Sequence, residues 1–365
     1  DFVLLLDCTD SMVNSDTANI CEAAAKMFTD LAPSNNARVA VVAFGNTWTP
    51  EYTFGSSEMS YMNDVMGRYA RTRVCMTYDM VELGSSEERR SVKQAIHDRM
   101  NEDKFSHTNT YIGGGLMTAL DVLFSSKSDD AALILMSDGR LSGFDTTDGV
   151  EWKRTNRELV YDAIDIAASK KWRIYSVELN DDGKNKPSSA AKQLFGDLSS
   201  RTGAESREIT ESDMSQLVTG FIDIFGKFMN TDADLIEKRI TNGSCAFDLN
   251  IPEVTSETNI VITGGNISSI TVDGQEYSSD TYNDKVYFVK NQDGHYTLLK
   301  LFAPESGKRS LIVKGEDGAD IQVQTISTRD LPVGLTFSES TPMIRNTTVE
   351  INAFLANPES GDPVR

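Results

Sequence analysis

Three oxygen-bearing side chains stand at alternate positions near the start of the chain: Asp7, Thr9 and Ser11, in the stretch DFVLLLDCTDSM. A carboxylate and two hydroxyls on one short loop offer only hard oxygen ligands, which suit Mg²⁺, Mn²⁺ or Ca²⁺. The same residue types also build an ordinary strand-to-helix turn with an N-cap. Two further stretches carry related chemistry. His107 to Leu120 reads HTNTYIGGGLMTAL, with Thr108 just ahead of a helical pattern. Ala131 to Arg140 reads AALILMSDGR, an apolar run that ends in Asp138. Cys8 lies inside the first loop, but a soft thiol is a poor Mg²⁺ ligand and is read as a small buried residue.

The elements around these residues set where they lie. Phe2 to Leu6 is unbroken and apolar, as in a strand buried on both faces of a parallel sheet covered by helices. Open α/β sheets place ligands at the carboxyl ends of such strands. A helix is predicted over Thr17 to Leu31, with Ile20, Ala24, Met27, Phe28 and Leu31 on one face and Pro33 ending it. Arg38 to Phe44 reads as the next buried strand, and Thr49 to Phe54 as an antiparallel edge strand returning on it. Gly55 to Gly84 reads as an insertion that folds as a short helix and a strand. Its Met59, Met62, Met66, Met76, Met80, Tyr61, Tyr69 and Tyr78 pack onto their own domain, or else form a surface for a partner. Helices are predicted over Ser86 to Met100, Thr108 to Phe124, Glu151 to Ser169, Ser189 to Ser200 and Met214 to Met229. Strands are predicted over Ala131 to Met136, Arg173 to Leu179 and Ser206 to Ile209. This alternation gives a doubly wound sheet. Gly113 to Gly115 is unfavourable inside a helix and implies close backbone approach; with no Lys-Ser or Lys-Thr after it, it is not a phosphate loop.

Taken together, the three stretches and their order resemble the von Willebrand factor A family. The resemblance covers roughly residues 1–229, with the insertion at about 55–84. It implies a Rossmann-like α/β fold, doubly wound with a mostly parallel sheet, and a metal-ion-dependent adhesion site. The matching positions are Asp7, Thr9, Ser11, Thr108 and Asp138. The implied ion is Mg²⁺, with Mn²⁺ or Ca²⁺ as substitutes. One coordination position would stay open for a carboxylate from a protein or extracellular matrix ligand. Asp10 adds a carboxylate at a variable position of the loop. The second calcium site of integrin β chains is not supported, because its acidic pair would fall at Asn14 and Ser15.

Beyond Asn230 the pattern becomes short strands separated by Gly264-Gly265, Asp273-Gly274, Asp293-Gly294, Ser306-Gly307 and Asp317-Gly318. This reads as an all-β sandwich over residues 230–340, loosely similar to an immunoglobulin-like domain, with 341–365 opening a further β domain. The chain starts inside its first strand, as a piece of a longer protein would. With 55 acidic and 35 basic residues and a formal charge of −20, the chain is a poor partner for nucleic acid or an anionic membrane surface. No apolar run reaches the length of a membrane span. Cys8, Cys21, Cys75 and Cys245 show no metal or redox spacing; a Cys8–Cys21 or Cys21–Cys75 bridge stays open. Sequons at Asn242, Asn266 and Asn346 are compatible with secretion.

These readings point to a non-enzymatic, metal-dependent adhesion module of an extracellular or cell-surface protein. Two alternatives differ in class. One is a structural or regulatory assembly subunit whose A-type domain is a scaffold. The other is a phosphatase-like enzyme of the haloacid dehalogenase type with Asp7 as nucleophile. That family requires Asp where Thr9 stands, and His97, His107 and His295 show no triad context.

Overall fold

The computed structural model describes residues 1–9, 11–12, 19–35, 37–45, 52–65, 75–101, 110–126, 128, 130–139, 155–180, 189–210, 214–229, 231, 233–291, 295–329, 333–337 and 351–356. The chain divides into two compact units, Asp1–Phe228 and Met229–Arg365. Among the described residues no helix is long and apolar enough to cross a membrane.

The first unit is the α/β part. Its strands are β1 (Phe2–Asp7), β2 (Arg38–Phe44), β3 (Cys75–Glu82), β4 (Ala132–Ser137), β5 (Arg173–Asn180) and β6 (Ser206–Thr210). Its helices are α1 (Ile20–Leu31), the short α2 (Met62–Val65), α3 (Ser86–Asn101), α4 (Ile112–Phe124), α5 (Asn156–Lys170), α6 (Ser189–Ser200) and α7 (Met214–Met229). The strands form one sheet in the order β3-β2-β1-β4-β5-β6, parallel except for β3. Every residue of β1 is buried, as its unbroken apolar run requires of a central strand covered on both faces. Strand order reverses between β1 and β4, so the ligand crevice of such a sheet falls outside the carboxyl ends of those two strands. Asp7 closes β1, and Asp138 follows β4 directly.

The antiparallel edge comes from a different segment than the spacing predicts. β3 pairs with β2 from Arg38↔Glu82 to Phe44↔Cys75. Of the expected edge strand, Thr49 to Glu51 lie outside the described residues, and Tyr52 to Phe54 are not in a strand. Asp121 of α4 captures this stretch instead. Its carboxylate accepts bonds from Tyr52 Oη at 2.7 Å, Gly55 N at 2.9 Å, Ser56 N at 3.0 Å and Ser56 Oγ. Phe54, Met59 and Met62 then bury in the core under α4. Part of the segment read as an insertion thus packs down and completes the sheet, while Tyr61 stays 48% exposed.

In the structure Cys8 and Cys21 are thiols rather than a bridged pair. Each touches a thioether: Cys8 Sγ lies 3.7 Å from Met100 Sδ, and Cys21 Sγ 3.7 Å from Met136 Sδ. The sulfurs fill core space between helix and sheet.

The second unit is all β. A four-stranded sheet contains β8 (Ser244–Ile251), β10 (Ile267–Val272), β11 (Gln275–Tyr277) and β15 (Gly307–Gly315). A six-stranded sheet contains β7 (Ala233–Arg239), β9 (Thr255–Thr263), β12 (Thr281–Tyr282), β13 (Val286–Lys290), β14 (Thr297–Phe302) and β16 (Asp320–Arg329). Alternate residues of both, among them Ile270, Leu311, Ile260, Leu299 and Val323, share one sandwich core. Asp273 and Gly274 both have positive φ and join β10 to β11 as a two-residue hairpin, the geometry that an Asp-Gly pair favours. On the face of β14 away from that core, Lys300 is fully buried, with Nζ 3.2 Å from Oε2 of buried Glu257. β17 (Val333–Phe337) and β18 (Ile351–Leu355) form a separate antiparallel pair.

Candidate metal centre

Asp7 is held on both carboxylate oxygens. Oδ1 accepts from Thr9 N at 3.0 Å and from Thr9 Oγ1 at 2.7 Å, and Oδ2 accepts from Ser137 Oγ. Having given its one proton to Asp7, Thr9 Oγ1 turns its lone pairs outward. Two more hydroxyls converge on it: Ser11 Oγ at 3.1 Å and Thr110 Oγ1 at 3.3 Å. Adjacent oxygens in an octahedral Mg²⁺ shell with bonds of about 2.1 Å lie about 3.0 Å apart, so the Thr9–Ser11 spacing fits one edge of such a shell. Asp138 is buried beside this group and is near enough to act on the Asp7 carboxylate. Among the described residues no three His, Cys, Asp or Glu side chains form a metal cluster. The donor set here is instead hydroxyl-rich with two carboxylates, which suits a hard divalent cation.

Of the five positions singled out in the sequence, the structure brings Asp7, Thr9 and Ser11 into one bonded chain and places Asp138 at the neighbouring strand end. Thr108, with His107, Asp10, Asn14 and Ser15, lies outside the described residues. Two hydroxyls were missed. Thr110 is the second threonine of the HTNT stretch, two positions after Thr108, and Ser137 is the residue before Asp138; a hydroxyl within two positions of each chosen residue was the available signal. A third polar residue, Glu178, had no local signal beyond interrupting an apolar strand. Ser137 stands opposite Glu178, and Glu178 opposite Glu208, in one row along the carboxyl edge.

The electrostatics of this edge are unfavourable without a cation. Burial pushes the Asp7 carboxyl up to about 7, Asp138 adds to the rise, and the bonds from Ser137 and Thr9 oppose it. Burial, then Glu208, pushes Glu178 up to about 7 as well. For Asp7 the unfolded chain ionises first, near 3.8. Its contribution to cation-free stability is therefore full below pH 3.8 and lost as pH rises through about 7. A cation needs the ionised form and competes with that proton. A Mg²⁺ ion held here would lose affinity about tenfold per pH unit below about pH 7. Calorimetric titrations between about pH 5.5 and 7.5 check this, and a flat profile would take Asp7 out of the ligand set.

No protein-family model matches the chain, and no curated protein matches it in sequence. Several solved structures are similar to it at low identity. The pilus adhesin SpaC of Lactobacillus rhamnosus GG, in its open conformation, shares 11% identity over 97% of this chain, with a TM-score of 0.44. The chain spans about half of that protein, 48% of its length. The vWF domain of the type V pilus tip protein Mfa5 of Porphyromonas gingivalis shares 12% identity over 61% of this chain and 95% of that one, with a TM-score of 0.37. The manganese-loaded TRAP protein of Plasmodium vivax shares 14% identity over 61% of this chain and 72% of that one, with a TM-score of 0.35.

Proposed function

We propose that this chain is the metal-dependent adhesion part of an extracellular or cell-surface protein. Residues 1–229 bind the partner, and residues 230–340 carry them as a β-sandwich, with 341–365 beginning a further β domain. One observation carries the reading: Asp7, Thr9 and Ser11 form a bonded oxygen chain at the point where strand order reverses, beside a second buried carboxylate, Asp138. Mg²⁺, or Mn²⁺ or Ca²⁺ in its place, would be held by Thr9, Ser11 and Thr108, with Asp7 and Asp138 in direct or water-mediated contact and the Thr110 hydroxyl, 3.3 Å from Thr9 Oγ1, closing the shell from the second loop. The cation would supply the positive centre for an anionic oxygen, and a carboxylate on a protein or matrix ligand completes its shell. The acidic surface repels acidic partners at long range, so the direct contact has to supply the attraction locally. On this reading the chain is a binding module rather than an enzyme.

Partner capture should vanish in EDTA, return with Mg²⁺ or Mn²⁺, and be lost in Thr108→Ala with the fold intact by circular dichroism. A partner held equally well in EDTA would instead make this unit a scaffold whose contacts lie elsewhere.

A further inference from the structure

The second loop reaches the cation site through an unusual helix start. Tyr111 occupies the N-cap of α4 and makes no side-chain cap bond. The first N–H groups of a helix have no partner within it, and one of them, on Gly113, is satisfied from outside. Asn156, the first residue of α5, accepts from Gly113 N on its Oδ1 at 2.7 Å. Its Nδ2 donates to Thr110 O at 3.1 Å. One buried carboxamide therefore caps α4 and grips the residue whose hydroxyl meets Thr9.

The clamp is close and stiff. A Cβ on residue 113 would come within 2.5 Å of Asn156 O and 2.8 Å of Asn156 Oδ1, so only glycine permits the approach. Glycine costs roughly 1 kcal/mol of helix propensity relative to alanine, a cost that this contact explains. Asn156 is itself fixed, because Thr155 caps α5 in a reciprocal box: Thr155 Oγ1 accepts from Glu158 N at 3.2 Å, and Glu158 Oε2 accepts from Thr155 N at 2.8 Å.

We infer that Asn156 is a positioning residue of the cation site, setting where the Thr110 hydroxyl stands against Thr9 and so how tightly the oxygen shell closes. The inference rests on the cation reading above. Its distinctive consequence is ion selectivity. Mg²⁺ demands near-ideal octahedral geometry, whereas Ca²⁺ tolerates longer bonds and looser shells. A loosened second loop should therefore penalise Mg²⁺ more than Ca²⁺, a shift that simple destabilisation of the fold would not produce.

The test is calorimetric titration of the full chain with Mg²⁺ and, separately, Ca²⁺. Asn156→Ala is expected to lose Mg²⁺ affinity by about ten- to a hundredfold, the usual effect of removing a group that orients a ligand, with a smaller loss for Ca²⁺. Thr110→Val, which keeps the side-chain shape, should shift the ratio the same way and decides the matter if Asn156→Ala fails to fold. A folded Asn156→Ala with an unchanged Mg²⁺-to-Ca²⁺ ratio overturns the inference, as does an unchanged ratio in Thr110→Val. If either outcome accompanies cation binding that Asp7→Ala abolishes, the cation reading stands without it. A wild-type chain that binds neither ion removes the cation reading itself.

Discussion

Asp7→Asn is expected to abolish Mg²⁺ binding while making the cation-free protein more stable at pH 8. The two effects have one cause. At that pH the wild-type carboxylate is ionised, stripped of water and close to Asp138. A carboxyl shifted from 3.8 to about 7 opposes folding at alkaline pH by on the order of 4 kcal/mol. Asparagine keeps the shape, still accepts from Thr9 through Oδ1, and carries no charge. Thermal unfolding in EDTA should therefore show a higher Tm for the variant. Added Mg²⁺ should raise the Tm of the wild type and leave that of the variant unmoved, since only a ligand that binds the folded state stabilises it. A variant less stable than wild type in EDTA, and still stabilised by Mg²⁺, would show that Asp7 is a structural strut rather than part of a charge site held in readiness.

The second large effect is expected in the β unit. Glu257→Ala should destabilise it by about 3–5 kcal/mol, because it removes the carboxylate beside the fully buried Lys300 ammonium. Replacing both partners together, as Glu257→Leu with Lys300→Met, should be neutral or stabilising, since neither charge then has to leave water. All three tryptophans, Trp48, Trp152 and Trp172, lie in the first 229 residues, so their fluorescence does not report on this unit. Hydrogen exchange of β9 and β14 does. A Glu257→Ala chain with unchanged protection in those strands would mean that Lys300 draws its stabilisation from other groups.

Much of the α/β unit is legible in local sequence. Unbroken apolar runs give β1, β2 and β4 because a strand buried on both faces has no polar side to show. Helical spacing gives α1 and α7 as amphipathic elements. Alternation of the two implies a doubly wound sheet, and therefore a site at strand ends, which places Asp7 and Asp138 together although 131 positions separate them. In the second unit, Asp273-Gly274 declares its own hairpin because few other pairs tolerate positive φ twice in succession.

The remaining features depend on contacts that local spacing does not encode. The edge strand is 75–82, and Asp121, on a helix 65 or more residues later, takes polar groups of Tyr52, Gly55 and Ser56 instead. The Thr110 hydroxyl belongs beside Thr9 because a carboxamide on α5 holds its loop there. Glu178 joins the carboxyl edge through the parallel register of β4 and β5, which sets it opposite Ser137. Lys300 is buried on the face of β14 away from the sandwich core, beside Glu257 of β9, a pairing that only the strand register sets. Apart from the sheet edge, the sequence by itself determined most of the strands, helices and turns, since periodicity and turn chemistry are local. Only the tertiary structure decided which oxygens meet, because that depends on strand register and on helix approach, which join residues far apart in the chain.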